Sequence, residues 1–279
     1  CTIQIRKGSN MCIISIEPQG LRNEKKTLER MEMCNDDGMG FAFSTGKRVV
    51  IKKYRDFDKF YRNYSQCKNL YGGRSAFMIH FRIKTHGTNK GVFNVHPFRV
   101  NKELVFSHNG TIQGVGDSVE KSDTRLFNES ILRRLNGDFL KDKTQRKLIE
   151  AFIGYSKLAF INLEGGYDIL NESKGVWSEG MWYSNKTFEV QKVQTFNYGY
   201  GGGSYYPPKY YSKPLSPPKA VSKKAEAVKL INNCEWCGSD AKVKAVGIRW
   251  MKGSEVEWER MCTECERSAR NGGAYSYHY

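Results

Sequence analysis

Apolar and polar positions along this chain alternate in short runs, give way to helical spacing, and then alternate again. Alternation predicts strands at Ile13–Ile16, Gly40–Phe43, Arg48–Lys53, Ala76–Arg82, Glu103–Ser107 and Leu158–Asn162. Apolar residues recurring every three to four positions predict helices at Glu24–Met33, Phe57–Cys67, Arg125–Leu135 and Gln145–Ile153. Leu158–Asn162 and Gly165–Leu170 read as a strand pair. So does the stretch from Trp177 to Tyr183, which runs into Ser184-Asn185. From about Asn197 to Ala227 the periodicity is lost. A Tyr/Gly run and then a Lys/Ser/Pro run predict a flexible linker. Tyrosines beside lysines can also stack on nucleic-acid bases, although a linker needs no ligand. Two further strand-like runs follow, Ala241–Trp250 and Glu255–Met261.

At 279 residues the chain is long enough for one substantial core and a small appendage. The net charge of +16 fits a protein that works near nucleic acid or another polyanion, and equally a solvated basic surface. No run of 18 or more apolar residues occurs, and the first residues lack a secretion-signal pattern. The expectation is a cytoplasmic protein without a membrane partner. The 8 cysteines comprise two CxxC pairs and four scattered residues, a usage that fits thiols and metal sites better than disulfides. Cys34 and Cys67 read as structural.

The residues that carry chemistry sit at the ends of the predicted strands. Met11-Cys12 heads the run Ile13–Ile16, and a cysteine there is either core or a nucleophile. If the residues before it are removed, Cys12 holds both a thiol and a free α-amine, a nucleophile and a base on one residue. Asn35-Asp36-Asp37-Gly38-Met39-Gly40 is a polar turn entering a strand. His80, Arg82, Thr85 and His86 cluster at the end of another strand, and the Arg82 guanidinium can grip a carboxylate in a bidentate fork. His96-Pro97-Phe98 follows. Then Ser107-His108-Asn109-Gly110 ends a strand with a side-chain amide and a glycine. Asn109 and Gly110 can aim two N–H groups at one point, as an oxyanion hole requires, or can form a tight hairpin turn. Asp123, before a helical run, fits a helix N-cap or a carboxylate that pairs with a ligand ammonium.

In this order, the pieces resemble the class II glutamine amidotransferase domain, a branch of the N-terminal nucleophile hydrolases. The resemblance rests on Met11-Cys12, on His80-x-Arg82-x-x-Thr85-His86-Gly87, on His96-Pro97-Phe98 and on His108-Asn109-Gly110, and covers about Cys12 to Phe196. It implies an α+β fold, a four-layer αββα sandwich. It also implies Cys12 as nucleophile with its α-amine as base, and Asn109 and Gly110 as oxyanion hole. Arg82 would hold the glutamine α-carboxylate, with Thr85 and His86 on the same wall, and Asp123 would hold the α-ammonium. Gly38 and Gly40 would lie in the turn beside the pocket. Ile83 and Lys84 stand where the family often has an aromatic and a small residue.

Cys1 heads its own alternating run and is a rival nucleophile, but the distance from Cys12 to Asp37-Gly38 fits one strand plus one helix. Residues 1–11 then read as a propeptide, or as translated upstream sequence with Met11 as the true start. The expected layout is a prefix at 1–11, the amidotransferase-like domain at 12–196, a linker at 197–227, and a C-terminal segment at 228–279. That segment carries Cys234-x-x-Cys237 and Cys262-x-x-Cys265, whose four thiolates predict a small zinc ribbon with structural zinc. A thioredoxin-like redox role fits two matched pairs poorly. Such a ribbon would bind nucleic acid or protein. No ammonia-consuming domain or nucleotide-binding motif is visible, so ammonia from the glutamine substrate would pass to a separate partner. This compact layout resembles amidotransferase-like proteins of bacteriophages, which would place it in a host cytoplasm. Rival readings are a hydrolase of another γ-glutamyl amide and an inactive nucleic-acid- or protein-binding adaptor.

Overall fold

A computed structural model of the chain describes residues 11–84, 87–88, 91–135, 138–189, 234, 243–249, 257–263, 266–267 and 275–278. The chain divides into a unit of Cys1–Glu189 with Lys229–Tyr279 and a unit of Val190–Val228. Every described residue belongs to the first. The prefix before Met11 and the expected linker at 197–227 lie outside the described residues.

The fold is α+β with antiparallel sheets. One sheet has six strands: β1 (Ile13–Glu17), β2 (Met39–Ser44), β3 (Val49–Tyr54), β4 (Phe77–Phe81), β9 (Val176–Ser178) and β10 (Met181–Tyr183), in the order β3-β2-β4-β1-β10-β9. A second sheet holds β5 (Phe98–Arg99), β6 (Leu104–Asn109), β7 (Lys157–Asn162) and β8 (Tyr167–Leu170) in sequence order. The helices are α1 (Lys25–Cys34), α2 (Phe57–Tyr71), α3 (Asp123–Ser130) and α4 (Lys143–Ile153). A three-stranded sheet near the C-terminus is ordered β12-β11-β13, from β11 (Val243–Arg249), β12 (Glu257–Cys262) and β13 (Tyr275–His278).

Strand alternation explains the layering. Successive side chains of a strand face opposite ways. Phe77, Ile79 and Phe81 of β4 join Leu28, Met31, Phe60 and Tyr64 of α1 and α2 in one core. Met78 of the same strand joins Ile14, Ile16 and Ala42, and meets Val105, Ala159 and Ile161 of the second sheet. Leu104, Phe106, Leu158 and Phe160 face the other way, onto Phe127, Ile149 and Ile153 of α3 and α4. The two sheets thus lie face to face with a helical layer outside each. Both faces of each sheet are covered, which is why β1, β2, β3, β4 and β6 are buried along their whole length.

Local chemistry departs from the sequence expectation in three places. The helix expected at Arg125–Leu135 begins at Asp123 and stops at Ser130, where Ile131 leaves helical geometry (φ −123°, ψ −70°) before a single 3₁₀ turn. Its N-cap is Ser122, whose hydroxyl accepts from the Arg125 N–H, so Asp123 is the first helical residue and not the cap. Asn109-Gly110 is not a hairpin turn, because β6 pairs with β5 and β7 on either side of it. The hairpin β9–β10 turns instead at Glu179 and Gly180, both at positive φ, as a two-residue loop demands.

The inner end of β1 carries a buried charge. Glu17 is fully buried and pairs with the Lys68 ammonium at 2.9 Å. It also accepts from Tyr64 Oη at 2.6 Å and from both the backbone N–H and side-chain amide of Asn23. Burial pushes the Lys68 pKa down, and the Glu17 carboxylate pushes it back up. Glu17→Ala strands that ammonium in the core, and we predict a loss of about 3–5 kcal/mol in unfolding free energy by urea titration. A loss below about 1 kcal/mol, the range of a surface pair, would contradict this account of the network.

Candidate active site

Antiparallel pairing gathers strand ends at one edge. The start of β1 lies beside the end of β4, with Ile13 opposite Phe81, and the start of β2 lies beside the same residue, with Met39 opposite Phe81. Ser15 pairs with Tyr183, which brings the end of β10 to that edge as well. In the second sheet Asn109 ends β6 directly opposite Lys157, the first residue of β7. Cys12, Arg82, Ser184, Asn109 and Lys157 therefore all stand where strands begin or end. Residues distant in sequence meet there.

The two sheets are joined at this edge by side-chain amides. The Asn109 amide donates to the Cys12 carbonyl and to Ser184 Oγ. The Asn185 amide donates to the same Cys12 carbonyl at 2.8 Å, and Ser184 Oγ also accepts from the Ile14 N–H at 2.8 Å. Both N–H groups of Asn109 are thus engaged, while its Oδ1 is buried without a hydrogen bond. Ser184 and Asn185 were assigned no role from the sequence. The one available signal was a polar pair ending a strand otherwise made of Met, Trp and Tyr.

The Cys12 thiol is half-buried and donates to the Ile83 carbonyl at 3.5 Å. Burial raises its pKa to about 11. The hydrogen bond to Ile83 and the nearby Arg82 charge lower it in part, and Asp123 raises it. At neutral pH the group is a thiol, so a nucleophilic role requires a base. Arg82 is buried just beyond β4. Its N–H donates to the Gly38 carbonyl at 2.8 Å, and its own carbonyl accepts from the Asp37 N–H at 3.0 Å. Asp123 accepts from the Ile112 N–H at 2.8 Å through one oxygen and from the Thr124 N–H at 2.8 Å through the other. Cys12, Arg82 and Asp123 are mutual electrostatic neighbours.

Two glycines shape the surroundings. Gly38 has φ +114°, and a Cβ there would come within 2.6 Å of the Val95 side chain. Gly110 has φ +137°, and its Cβ would collide with Ser156 Oγ and come within 2.9 Å of the Ser156 backbone. Gly40 lies in β2 opposite His80. Thr85 and His86 lie outside the described residues, as do Cys1, Cys237 and Cys265. Among the described residues no group of three or more His, Cys, Asp or Glu side chains is disposed to hold a metal ion. The four-cysteine set falls outside that statement, since two of its members are not described.

Behind the edge sits a trio of buried histidines. His80 Nε2 donates to the His108 carbonyl at 3.1 Å, tying β4 of one sheet to β6 of the other. His108 Nδ1 meets Thr124 Oγ1 at 2.8 Å, and the His96 ring lies 4.0 Å from that of His80. Burial lowers His80 to about 3 and His108 to about 4, and it holds His96 well below its usual value. All are neutral at pH 7 and serve as dipoles, not charges. The motifs exposed these histidines in the sequence, but their burial was not legible there.

A cavity of about 620 Å³ opens beside Cys12 and Gly110. Thr111, Gln113, Lys157 and Lys174 contribute to its wall, while Arg82 and Asp123 do not.

No protein-family model matches the sequence, and no curated protein is similar to it. Among solved structures, the chain is similar to the glutamine phosphoribosylpyrophosphate amidotransferase from B. subtilis complexed with ADP and GMP. The identity is 15% and the TM-score 0.37, over 62% of this chain and 41% of that one. The chain thus spans about two fifths of that protein's length.

The raised thiol pKa gives a test on the chain that retains Met11. Since the thiolate appears only as pH approaches about 11, alkylation of Cys12 by iodoacetamide at pH 7.5 should be about a hundredfold slower than that of a free cysteine. Peptide mass spectrometry of timed samples reads this directly. A rate equal to that of free cysteine would contradict the burial argument.

Proposed function

We propose that the chain hydrolyses the side-chain amide of glutamine by acyl transfer through Cys12, as a class II glutamine amidotransferase of the N-terminal nucleophile type. The observation that carries this reading is the convergence of Cys12 with Asn109 at one sheet edge, the two joined by a hydrogen bond, with Arg82 and Asp123 as charged neighbours of the thiol. The layering of two face-to-face sheets between helices also supports it.

The chemistry then runs as follows. Removal of the residues through Met11 leaves a free amine on Cys12. An amine of pKa about 7.7–8.0 is basic enough at working pH to take the proton of a thiol held near 11 as that thiol attacks. The sulfur bonds to the side-chain amide carbon, and the carbonyl oxygen takes the charge. Asn109 and the Gly110 N–H stabilise that oxyanion. To donate, Asn109 gives up its bond to the Cys12 carbonyl, which keeps Asn185 as a donor. The amine returns the proton to the departing nitrogen, ammonia leaves, and water hydrolyses the thioester to glutamate and the free thiol. Arg82 holds the substrate carboxylate and Asp123 its ammonium. Ammonia passes to a separate acceptor.

The expected kinetics separate these roles. Cys12→Ala abolishes glutaminase activity, whereas Cys1→Ala leaves it intact. Arg82→Ala and Asp123→Ala chiefly raise KM. Asn109→Ala lowers kcat about a hundredfold, the usual cost of one oxyanion donor. Ammonia release measured across a glutamine series decides each case. Activity that survives Cys12→Ala would remove the basis of the proposal.

We also propose that Cys234, Cys237, Cys262 and Cys265 hold a structural zinc. Cys234 and Cys262, the described pair, are both buried, and β12 ends at Cys262. Lys244 and Glu266 pair nearby at 2.8 Å. A segment this small needs a metal to supply its folding free energy. One zinc per chain is expected by elemental analysis, with glutaminase activity retained after truncation near Ala220. Less than about half an equivalent would exclude a closed four-thiolate site.

A further inference from the structure

We infer that the cavity beside Cys12 is a leaving-group subsite for a γ-glutamyl amide of an amino acid, with Lys157 and Lys174 holding that amino acid's carboxylate. This rests on the acyl-transfer reading of Cys12 and adds to glutamine a second class of amide that the same thiol would cleave.

Size is the first argument. Glutamine releases ammonia, which needs almost no room. The cavity beside the nucleophile measures about 620 Å³, within the usual range for a small-molecule site. Position is the second. Met11, Cys12 and Gly110 form part of its wall, so the cavity adjoins the nucleophile, and loss of Met11 on processing widens it there. Arg82 and Asp123, assigned to the glutamyl end, are not part of that wall. In this proposal the glutamyl end lies toward Arg82 and Asp123, and the amide nitrogen and its substituent leave into the cavity.

Charge is the third argument. The wall contains two lysines and no carboxylate. Lys157 stands opposite Asn109 across the β6–β7 ladder, so its backbone is one strand spacing from that of the proposed oxyanion residue. Among the described residues the Lys157 ammonium has neither ion pair nor hydrogen bond. Lys174 reaches the Gly154 carbonyl and lies 5.1 Å from the Tyr155 ring centroid. Burial and the neighbouring Lys174 charge both push the Lys157 pKa down. Two like charges that face one cavity without a counter-charge favour an anion between them. An amino acid bonded through its nitrogen to the γ-carbonyl carries its carboxylate one carbon beyond the scissile bond, on the Lys157 side. Thr111 and Gln113 add polar groups to the same wall. The step itself balances as for glutamine: sulfur replaces nitrogen at the carbonyl carbon, the amine takes the proton, and water later regenerates the thiol.

The test compares γ-glutamylglycine with γ-glutamylmethylamine, which lacks only the carboxylate, using the purified full chain. We expect kcat/KM to favour the glycine conjugate by about tenfold or more, the range of one charge-assisted contact. Lys157→Gln with Lys174→Gln should bring the ratio close to one, and Lys157→Arg should preserve it. Equal kcat/KM for the two amides would overturn the proposal, as would a ratio unchanged by the lysine substitutions. Titration calorimetry on the Cys12→Ala chain keeps the subsite testable without turnover. Tighter binding of the glycine conjugate supports it, and equal binding overturns it. Turnover of glutamine without discrimination would sink the subsite alone. Discrimination in binding with every amide inert, glutamine included, would sink the hydrolase reading and leave the subsite standing.

Discussion

One acceptor, the Cys12 carbonyl oxygen, joins strands that belong to different sheets. It receives Asn109 from the end of β6 and Asn185 from just beyond β10, while Ser184 Oγ links Asn109 back to the Ile14 N–H. Sheets stacked face to face share no backbone ladder, and between these two the shared core is mainly apolar, with His80 bonded to the His108 carbonyl behind the edge. The amide bonds at the edge therefore set where Cys12 lies relative to β6. A net hydrogen bond contributes only about 1 kcal/mol, but leaving such a buried group without a partner costs about 1–3 kcal/mol. That asymmetry fixes the Cys12 backbone to within hydrogen-bond tolerance.

The same interactions constrain the proposed chemistry. Asn109 cannot hold the Cys12 carbonyl and a substrate oxyanion with the same N–H. Asn185 resolves this conflict, because it donates to that carbonyl independently. Electrostatics imposes a second constraint. Burial keeps the thiol protonated and holds His80 at about 3 and His108 at about 4, so among the described residues these rings are too weakly basic to take a thiol proton at pH 7. In the proposed mechanism an amine released on Cys12 itself supplies the base, which makes the proposed activity conditional on loss of the residues before it.

Strand ends made much of this site legible. Cys12, Arg82 and Asn109 each stood at the border of an alternating run, and antiparallel topology turns such borders into neighbours. Asp123 was legible only as a residue with two open roles. Its cap role falls to Ser122, because the serine hydroxyl reaches the Arg125 N–H. The helix expected through Leu135 fell short because apolar periodicity continues through Ile131 while the backbone does not. β5, two residues long, gave no periodic signal of its own, and the Tyr275–His278 alternation of β13 is only four residues long. Lys157 was invisible for a different reason. Its place opposite Asn109 is a matter of strand register, and register depends on partners some fifty positions away in the chain.

The central claim is that Cys12 becomes an N-terminal nucleophile. A diazoketone analogue of glutamine, which alkylates the thiolate that attacks it, tests this most directly. After incubation with the purified chain, intact-mass and peptide mass spectrometry locate the adduct and read the residue that begins the labelled peptide. The account predicts one adduct per chain, on Cys12, in a molecule that begins at Cys12. Labelling on another cysteine, or on a Cys12 still preceded by Met11, would contradict it.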